Sequence, residues 1–410
     1  MTKNKDSCYY LFMRNFAKSI KNLFKKDIML SVSLFAALFS LFITPPSAEL
    51  LHDINWRTLA TLFMLLSVLE GFKSENIFEP ILRQAERISS IKLLTIFLVF
   101  GVFFTSMFVT NDVSLIIFVP LTIILFRNSG NERFILPVLT FENIAAIRGS
   151  LLTPFGSPQN LFLYAKSGIS TPEFLLMMLP LWIFSAGLLL VFILILYKGS
   201  SVSFRVNEGW LEIYSQNEKD FSTSLRYDRN DKRKIMYQVL FVIVVASIVS
   251  RTRFYPIVLV LVALTLFIGD RKILIKTDCV LLLTFLCFFT FSSSICRHPA
   301  ISGFLQKSVA NHEYLWSILL SQVISNVPAS IVLYPFSENL RALLYGLDSA
   351  GLCSIIGSLA SVINLRLYVR EYPGNGFKFI KTFTWISLAF FALVVIPQLW
   401  LINFFSVGKN

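Results

Sequence analysis

Four short polar strings interrupt the apolar stretches of this chain, and each holds residue types suited to holding an ion. They are Thr110-Asn111-Asp112, the run Thr153-Pro154-Phe155-Gly156-Ser157-Pro158-Gln159-Asn160, Ser325-Asn326-Val327-Pro328, and the small-residue set Ser354, Gly357, Ser358 and Ser361. Hydroxyl and amide oxygens at Thr110, Asn111, Ser325 and Asn326 can ligate a hard cation such as sodium. Their N–H and O–H groups can hold an oxyanion, at turns where helix N-termini also point inward. The alternative is turn capping without ligand contact. For Thr153, Gly156, Ser157, Gln159, Asn160, Ser354, Gly357, Ser358 and Ser361 the alternative to ion binding is close helix packing through small residues.

Charged residues inside apolar stretches narrow the chemistry. A carboxylate near the bilayer centre costs about 2.5–3.5 kcal/mol on insertion scales and is retained where it pairs, binds a cation or relays a proton. Asp112 therefore stands as the main candidate for ion or proton coupling, unless its turn is shallow and it merely caps the helix that follows. Arg148 lies one turn before the second string and either attracts an anion or neutralises Asp112. Glu142 and Asp348 are further charges within apolar segments. Glu142 and Arg148 are six apart, on different faces of a helix, and so do not form a simple local pair. Glu70, with Lys73 one turn on, reads as interfacial.

The elements that position these residues follow from composition. The chain is 55% hydrophobic with a formal net charge of +13, and its mean hydropathy is +0.68. The apolar residues fall in recurrent blocks long enough to cross a hydrocarbon core of ~30 Å. The fold class is thus an all-α polytopic membrane protein. Simple spans are expected over Ile28–Thr44, Trp56–Phe72, Phe174–Tyr197, Ile235–Val249, Phe254–Ile268, Cys279–Ile295 and Phe379–Phe405. Leu93–Phe126 is too long for one span and short of two, with basic residues at both ends, so it reads as a re-entrant hairpin with its tip at Thr110-Asn111-Asp112. Such backbone is tolerated only inside protein or along a wet cavity. Prolines and a glycine break Phe134–Tyr164 into a discontinuous helix. Tyr314–Leu340 reads as a second hairpin around Ser325-Asn326, and Leu343–Tyr368 as a second glycine-broken span.

Charge then assigns faces. Basic residues mark cytoplasmic segments, which places the N-terminus inside, Thr44–Asn55 outside, Lys73–Lys92 inside, Asp270–Lys276 inside, Arg297–Glu313 outside and Arg366–Lys381 inside. The first hairpin enters from the cytoplasm and the second from outside. The halves share a tip, a break and a string, Asn160-Leu161-Phe162-Leu163-Tyr164 against Asn364-Leu365-Arg366-Leu367-Tyr368. Together these define an inverted repeat of about nine transmembrane helices plus two re-entrant hairpins, a plan that places a site at the membrane midplane. The organisation is residues 1–27 as a basic amphipathic segment, either a helix on the membrane surface or a loosely ordered tail, 28–197 as the first repeat, 198–234 as a cytoplasmic linker and 235–405 as the second, inverted repeat. No cleavage pattern follows the first apolar block, so a cleaved signal peptide is not expected, and the location is the plasma (inner) membrane.

Several function classes lose support. The basic charges sit between apolar blocks rather than on one face, which argues against nucleic-acid binding. The five cysteines contain no CxxC pair and the three histidines are scattered, so neither a disulfide framework, a zinc site nor metal catalysis is expected. No GxxxxGK[ST] loop or HExxH helix is present, so neither an ATPase motor nor an intramembrane enzyme is expected. No cofactor is called for beyond sodium as a coupling ion, and a homodimeric assembly stays open.

At these residues the chain resembles the ion transporter superfamily, in the branch that holds arsenite permeases, sodium/proton antiporters and citrate-type carriers. The strings that carry the resemblance are Thr110-Asn111-Asp112 with VSLIIFVPLTI after it, LTPFGSPQNLFLY, and SNVPAS followed by GSLAS, across about Ile28 to Phe405. It implies substrate and coupling ions bound between two hairpins with Ser/Thr-Asn tips and two broken helices, at Thr110, Asn111, Ser325, Asn326 and the Gly156 and Gly357 regions. Dicarboxylate symporters of this kind read Ser-Asn-Thr at both tips. Here the tips read Thr-Asn-Asp and Ser-Asn-Val, and Arg148 lies outside the pattern. The reading is a secondary transporter of a small anion coupled to a proton or sodium gradient, or alternatively a sodium/proton antiporter that uses Asp112 directly.

Overall fold

A computed structural model describes residues 28–45, 48–77, 84, 85, 88, 90–198, 225–250 and 254–406. The N-terminal segment expected to lie on the membrane surface, and residues 78–83, 86, 87 and 89 of the segment 73–92, fall outside the described residues. Every regular element among the described residues is a helix. Among the described residues, six helices are long and apolar enough to cross a membrane, with two shorter apolar helices at Leu30–Ile43 and Tyr255–Gly269. Their outward faces carry Phe35, Phe42, Leu176, Ile195, Ile268 and Trp400 exposed, as suits side chains facing lipid rather than water.

The chain repeats one sequence of elements twice. In the first half, a hairpin with arms Ile91–Val109 and Asn111–Asn128 is followed by a broken helix, Ile135–Gly149 and Pro158–Ser167, and by the long helix Thr171–Leu196. In the second half the arms are Glu313–Ile324 and Asn326–Leu333, the broken helix is Leu340–Cys353 and Leu359–Glu371, and the long helix is Gly376–Ser406. The hairpins differ in size. The first has arms of 19 and 18 residues, about 28 Å each at the helical rise, whereas the second has arms of 12 and 8. The helix that opens the second half begins at Leu225, inside the stretch read as linker, because its Lys and Arg residues are good helix formers that carry the apolar helix outward.

The two halves lock reciprocally. The second arm of the first hairpin packs on Leu359–Glu371, and the second arm of the second hairpin packs on Pro158–Ser167. Polar bonds tie the broken helices directly: Asn143 Nδ2 donates to Ser361 Oγ at 3.0 Å and Asn364 Nδ2 to the Leu139 carbonyl at 2.8 Å. Ile135–Gly149 is consequently the interior helix, with 83% of the apolar window it belongs to buried, against 22% for Thr171–Leu196. Polar residues are retained in a helix of this depth because protein, not lipid, surrounds them.

Ion pairs group residues by face as the basic-residue pattern predicts. Arg297 bridges Glu49 at 3.0 Å and Asp53 at 2.6 Å, and all three belong to segments assigned to one side. Burial pushes the Asp53 carboxyl up, but hydrogen bonds from Ser293 and Arg297 and the guanidinium charge outweigh it and leave it below its ordinary value. On the other side Arg233 lies 3.5 Å from Glu75 and 3.7 Å from Asp270. Arg127, at the foot of the first hairpin, meets Glu371, at the foot of the second broken helix, at 3.3 Å and lies over the Tyr372 ring. Glu313 accepts the N–H groups of Glu338 and Asn339, both at 3.1 Å, so the second hairpin starts and ends on one face. The broken helices therefore run in opposite directions through the molecule.

Candidate functional site

Each hairpin turns on a single residue held in a conformation that suits glycine. Thr110 sits at φ 74°, ψ 155° and Ser325 at φ 68°, ψ 161°, a region that costs a side chain of order 1–3 kcal/mol. Neither hydroxyl caps the helix it precedes. Instead Asn111 Oδ1 accepts the Asp112 N–H at 3.0 Å, and Ser325 Oγ reaches Asn326 Oδ1 at 3.4 Å. We expect Thr110→Gly and Ser325→Gly to melt at or above the wild-type temperature while lowering transport, measured on the same purified preparations. Lower melting with full transport would show instead that the hydroxyls are structural.

The tips dock on the breaks of their own halves. The Asn111 N–H donates to the Gly156 carbonyl at 3.3 Å, and Thr153 Oγ1 to the Met107 carbonyl at 2.5 Å. In the second half Ser354 Oγ donates to Gln322 Oε1 at 2.5 Å, and Gln322 Nε2 to the Ala350 carbonyl at 3.2 Å. Thr153 and Ser354 are thus spent on holding the breaks to the hairpins. Gly156 and Gly357 close the two turns.

Beyond each turn a helix starts at a serine with nearly the same extended backbone, Ser157 at φ −148°, ψ 151° and Ser358 at φ −147°, ψ 139°. Both hydroxyls are buried and without a partner. These are two N-termini carrying partial positive charge, each with an uncommitted donor at its first turn.

The charged residues sort differently from the sequence reading. Asp112 lies in the first turn of the second arm rather than at its cap, with one carboxyl oxygen buried and unpartnered. No ion pair joins Asp112 to Arg148 among the described residues, and Arg148 bonds Ser349 instead. Arg148 is fully buried. It donates through Nη2 to Ser349 Oγ at 3.0 Å, and its Nε and Nη1 have no partner. Asp348, 1% exposed, accepts from Gln159 Nε2 at 3.0 Å and Asn160 Nδ2 at 3.3 Å, leaving the amide oxygens of both without partners. Glu142 accepts from the Thr122 hydroxyl, away from Arg148, and its Oε2 is free.

Arg148, Asp348, Gln159 and Asn160 thus form one buried cluster across the two halves. Ser349 extends it, accepting also from Gln398 Nε2 at 2.6 Å, while Gln398 Oε1 accepts from the Tyr314 hydroxyl at 2.5 Å. The sequence marks Asp348 only as a buried charge and gives no sign of Ser349, Gln398 or Tyr314. Their partners lie far away in the chain, and nothing local in residue type reveals them.

Two hairpins and two broken helices, antiparallel and interlocked around buried polar groups, define a multi-pass membrane transporter of the inverted-repeat class. Residues 23–357 match the family model described as citrate transporter, and the chain belongs to that family. It is 30% identical over 321 residues to the uncharacterized transporter MJ0456 of Methanocaldococcus jannaschii, covering 78% of this chain and 83% of that one. It is also 30% identical over 319 residues to the inner membrane protein YbiR of Escherichia coli K12, covering 77% of this chain and 80% of that one.

Proposed function

We propose that the protein is a secondary active transporter that carries a small anion, a carboxylate or an arsenite-like oxyanion, against its gradient at the expense of a proton or sodium gradient. It sits in the plasma (inner) membrane with its N-terminus in the cytoplasm. The carrying observation is the set of uncommitted donors: the buried Ser157 and Ser358 hydroxyls at two helix N-termini, with Arg148 presenting two unpartnered nitrogens. Unsatisfied buried donors are costly unless a ligand meets them, and positive helix ends favour a negative one. The family's citrate description agrees with a carboxylate.

The test is uptake of labelled citrate, succinate or arsenite into proteoliposomes under imposed pH and sodium gradients. Accumulation driven by either gradient, and lost in Arg148→Gln, is the expected result. The second reading, sodium/proton exchange at Asp112, rests on its unpartnered buried oxygen. No anion uptake, together with sodium-driven proton flux that Asp112→Asn abolishes, would replace the first reading by the second.

A further inference from the structure

The buried charges at the centre do not touch, and their separation is itself organised. Arg148, from the first broken helix, spends its one hydrogen bond on Ser349. Asp348, the residue before Ser349 on the second broken helix, spends both oxygens on Gln159 and Asn160. Each senses the charge of the other, yet neither occupies the other's donor or acceptor positions. An ion pair in direct contact would leave no room for a ligand. Here two guanidinium nitrogens stay open while the opposing carboxylate keeps the cluster near neutrality.

Few other titratable groups face this couple. Tyr314, from the first arm of the second hairpin, is tied to Gln398, and Cys353 lies about one turn further along the same helix as Asp348 and donates to the Ser349 carbonyl. Tyr345, about one turn before, donates to the Met177 carbonyl. Glu313 is committed to the N–H groups of the far hairpin end. Glu142 belongs to the Thr122 contact. Asp348 is therefore the carboxylate whose charge balances Arg148.

A consequence follows for any anion that binds Arg148. With Asp348 ionised, the added ligand leaves the cluster with one uncompensated negative charge in a low-dielectric interior, which is strongly disfavoured. We propose that anion binding at Arg148 is linked to uptake of one proton by Asp348, so that this cross-half couple, rather than Asp112, is where substrate and proton are coupled. One negative charge and one proton enter together and the buried net charge is unchanged. The inference rests on the anion reading above and names its coupling ion and the group that carries it.

Binding by the purified full-length protein tests this without any need for flux. Citrate, succinate and arsenite serve as probes, titrated by thermal shift across pH, with sodium present and absent. With affinity expressed per concentration of the probe's own singly charged form, so that the probe's titration drops out, wild-type affinity should rise about tenfold for each pH unit lowered through the range where Asp348 is ionised. In Asp348→Asn the guanidinium is permanently uncompensated, and affinity should be high and independent of pH. In Arg148→Gln binding should fall at least tenfold, and the double variant, neutral throughout, controls for folding. An Asp348→Asn protein that keeps the wild-type pH slope would overturn the coupling while leaving the anion reading intact. If no anion shifts the melting of wild-type protein at any pH, the anion reading fails and this inference with it.

Discussion

Alanine at Gly357 should cost at least tenfold in transport and lower the melting temperature, and alanine at Gly156 should do the same. At Gly357 a Cβ would lie 2.1 Å from the Ala350 carbonyl oxygen, and at Gly156 2.2 Å from that of Ser150. Both obstacles are backbone carbonyls on the far side of the same tight turn, so no rotamer change relieves them. The turn must open, at a cost of about 1–3 kcal/mol or more. Opening it moves Ser157 or Ser358, which follow directly, together with the helix each begins. Gly187 is the control: nothing lies within 4 Å of its added Cβ, and Gly187→Ala in the middle of Thr171–Leu196 should match wild type. Parallel thermal melts and proteoliposome uptake decide this. Wild-type behaviour of Gly357→Ala would mean that the breaks tolerate displacement and do not set the site.

A second large effect is expected at Thr122→Val. The Thr122 hydroxyl meets one oxygen of the Glu142 carboxyl, whose other oxygen has no partner, and Glu142 is fully buried. Valine keeps the shape but strands the acid, at about 1–3 kcal/mol, seen as lower melting in detergent. Removing the acid too, in Thr122→Val/Glu142→Leu, should recover most of the loss, since replacing both partners by apolar groups can be nearly neutral. Equal melting of Thr122→Val and wild type would show that Glu142 finds another donor.

The architecture was legible because its signals are local. Thr110 and Ser325 stand out as polar residues between apolar arms, and the turn at Gly156 is announced by glycine, proline and serine within a few residues, the turn at Gly357 by glycine and serine alone. The grouping of Arg297 with Glu49 and Asp53, and of Arg127 with Glu371, follows from counting basic residues at helix ends. What the sequence could not show is pairing across the chain. Arg148 finds Ser349, 201 residues on, and Asp348 finds Gln159, 189 residues back. A charge inside an apolar stretch says only that a partner exists, and Asp112 was the nearest one in reach of the eye. The strained backbone at Thr110 and Ser325 is hidden for another reason: neither residue type favours positive φ, so only the fold imposes it.

The bond between Arg148 and Ser349 spans the separation that also relates Thr153 to Ser354, Gly156 to Gly357 and Ser157 to Ser358. It joins two positions that the repeat makes equivalent, and only one of them is charged. A chain with identical halves would face either side of the membrane with equal free energy, since exchanging the roles of the halves would restore the same object. A guanidinium on one copy alone lifts that degeneracy. A difference of only about 1.4 kcal/mol in its surroundings places some ten molecules in one facing for each in the other. Arg148 is thus one of the features, beside the unequal hairpins, that set the two halves apart, and residue 349 is where a second cation would remove that difference.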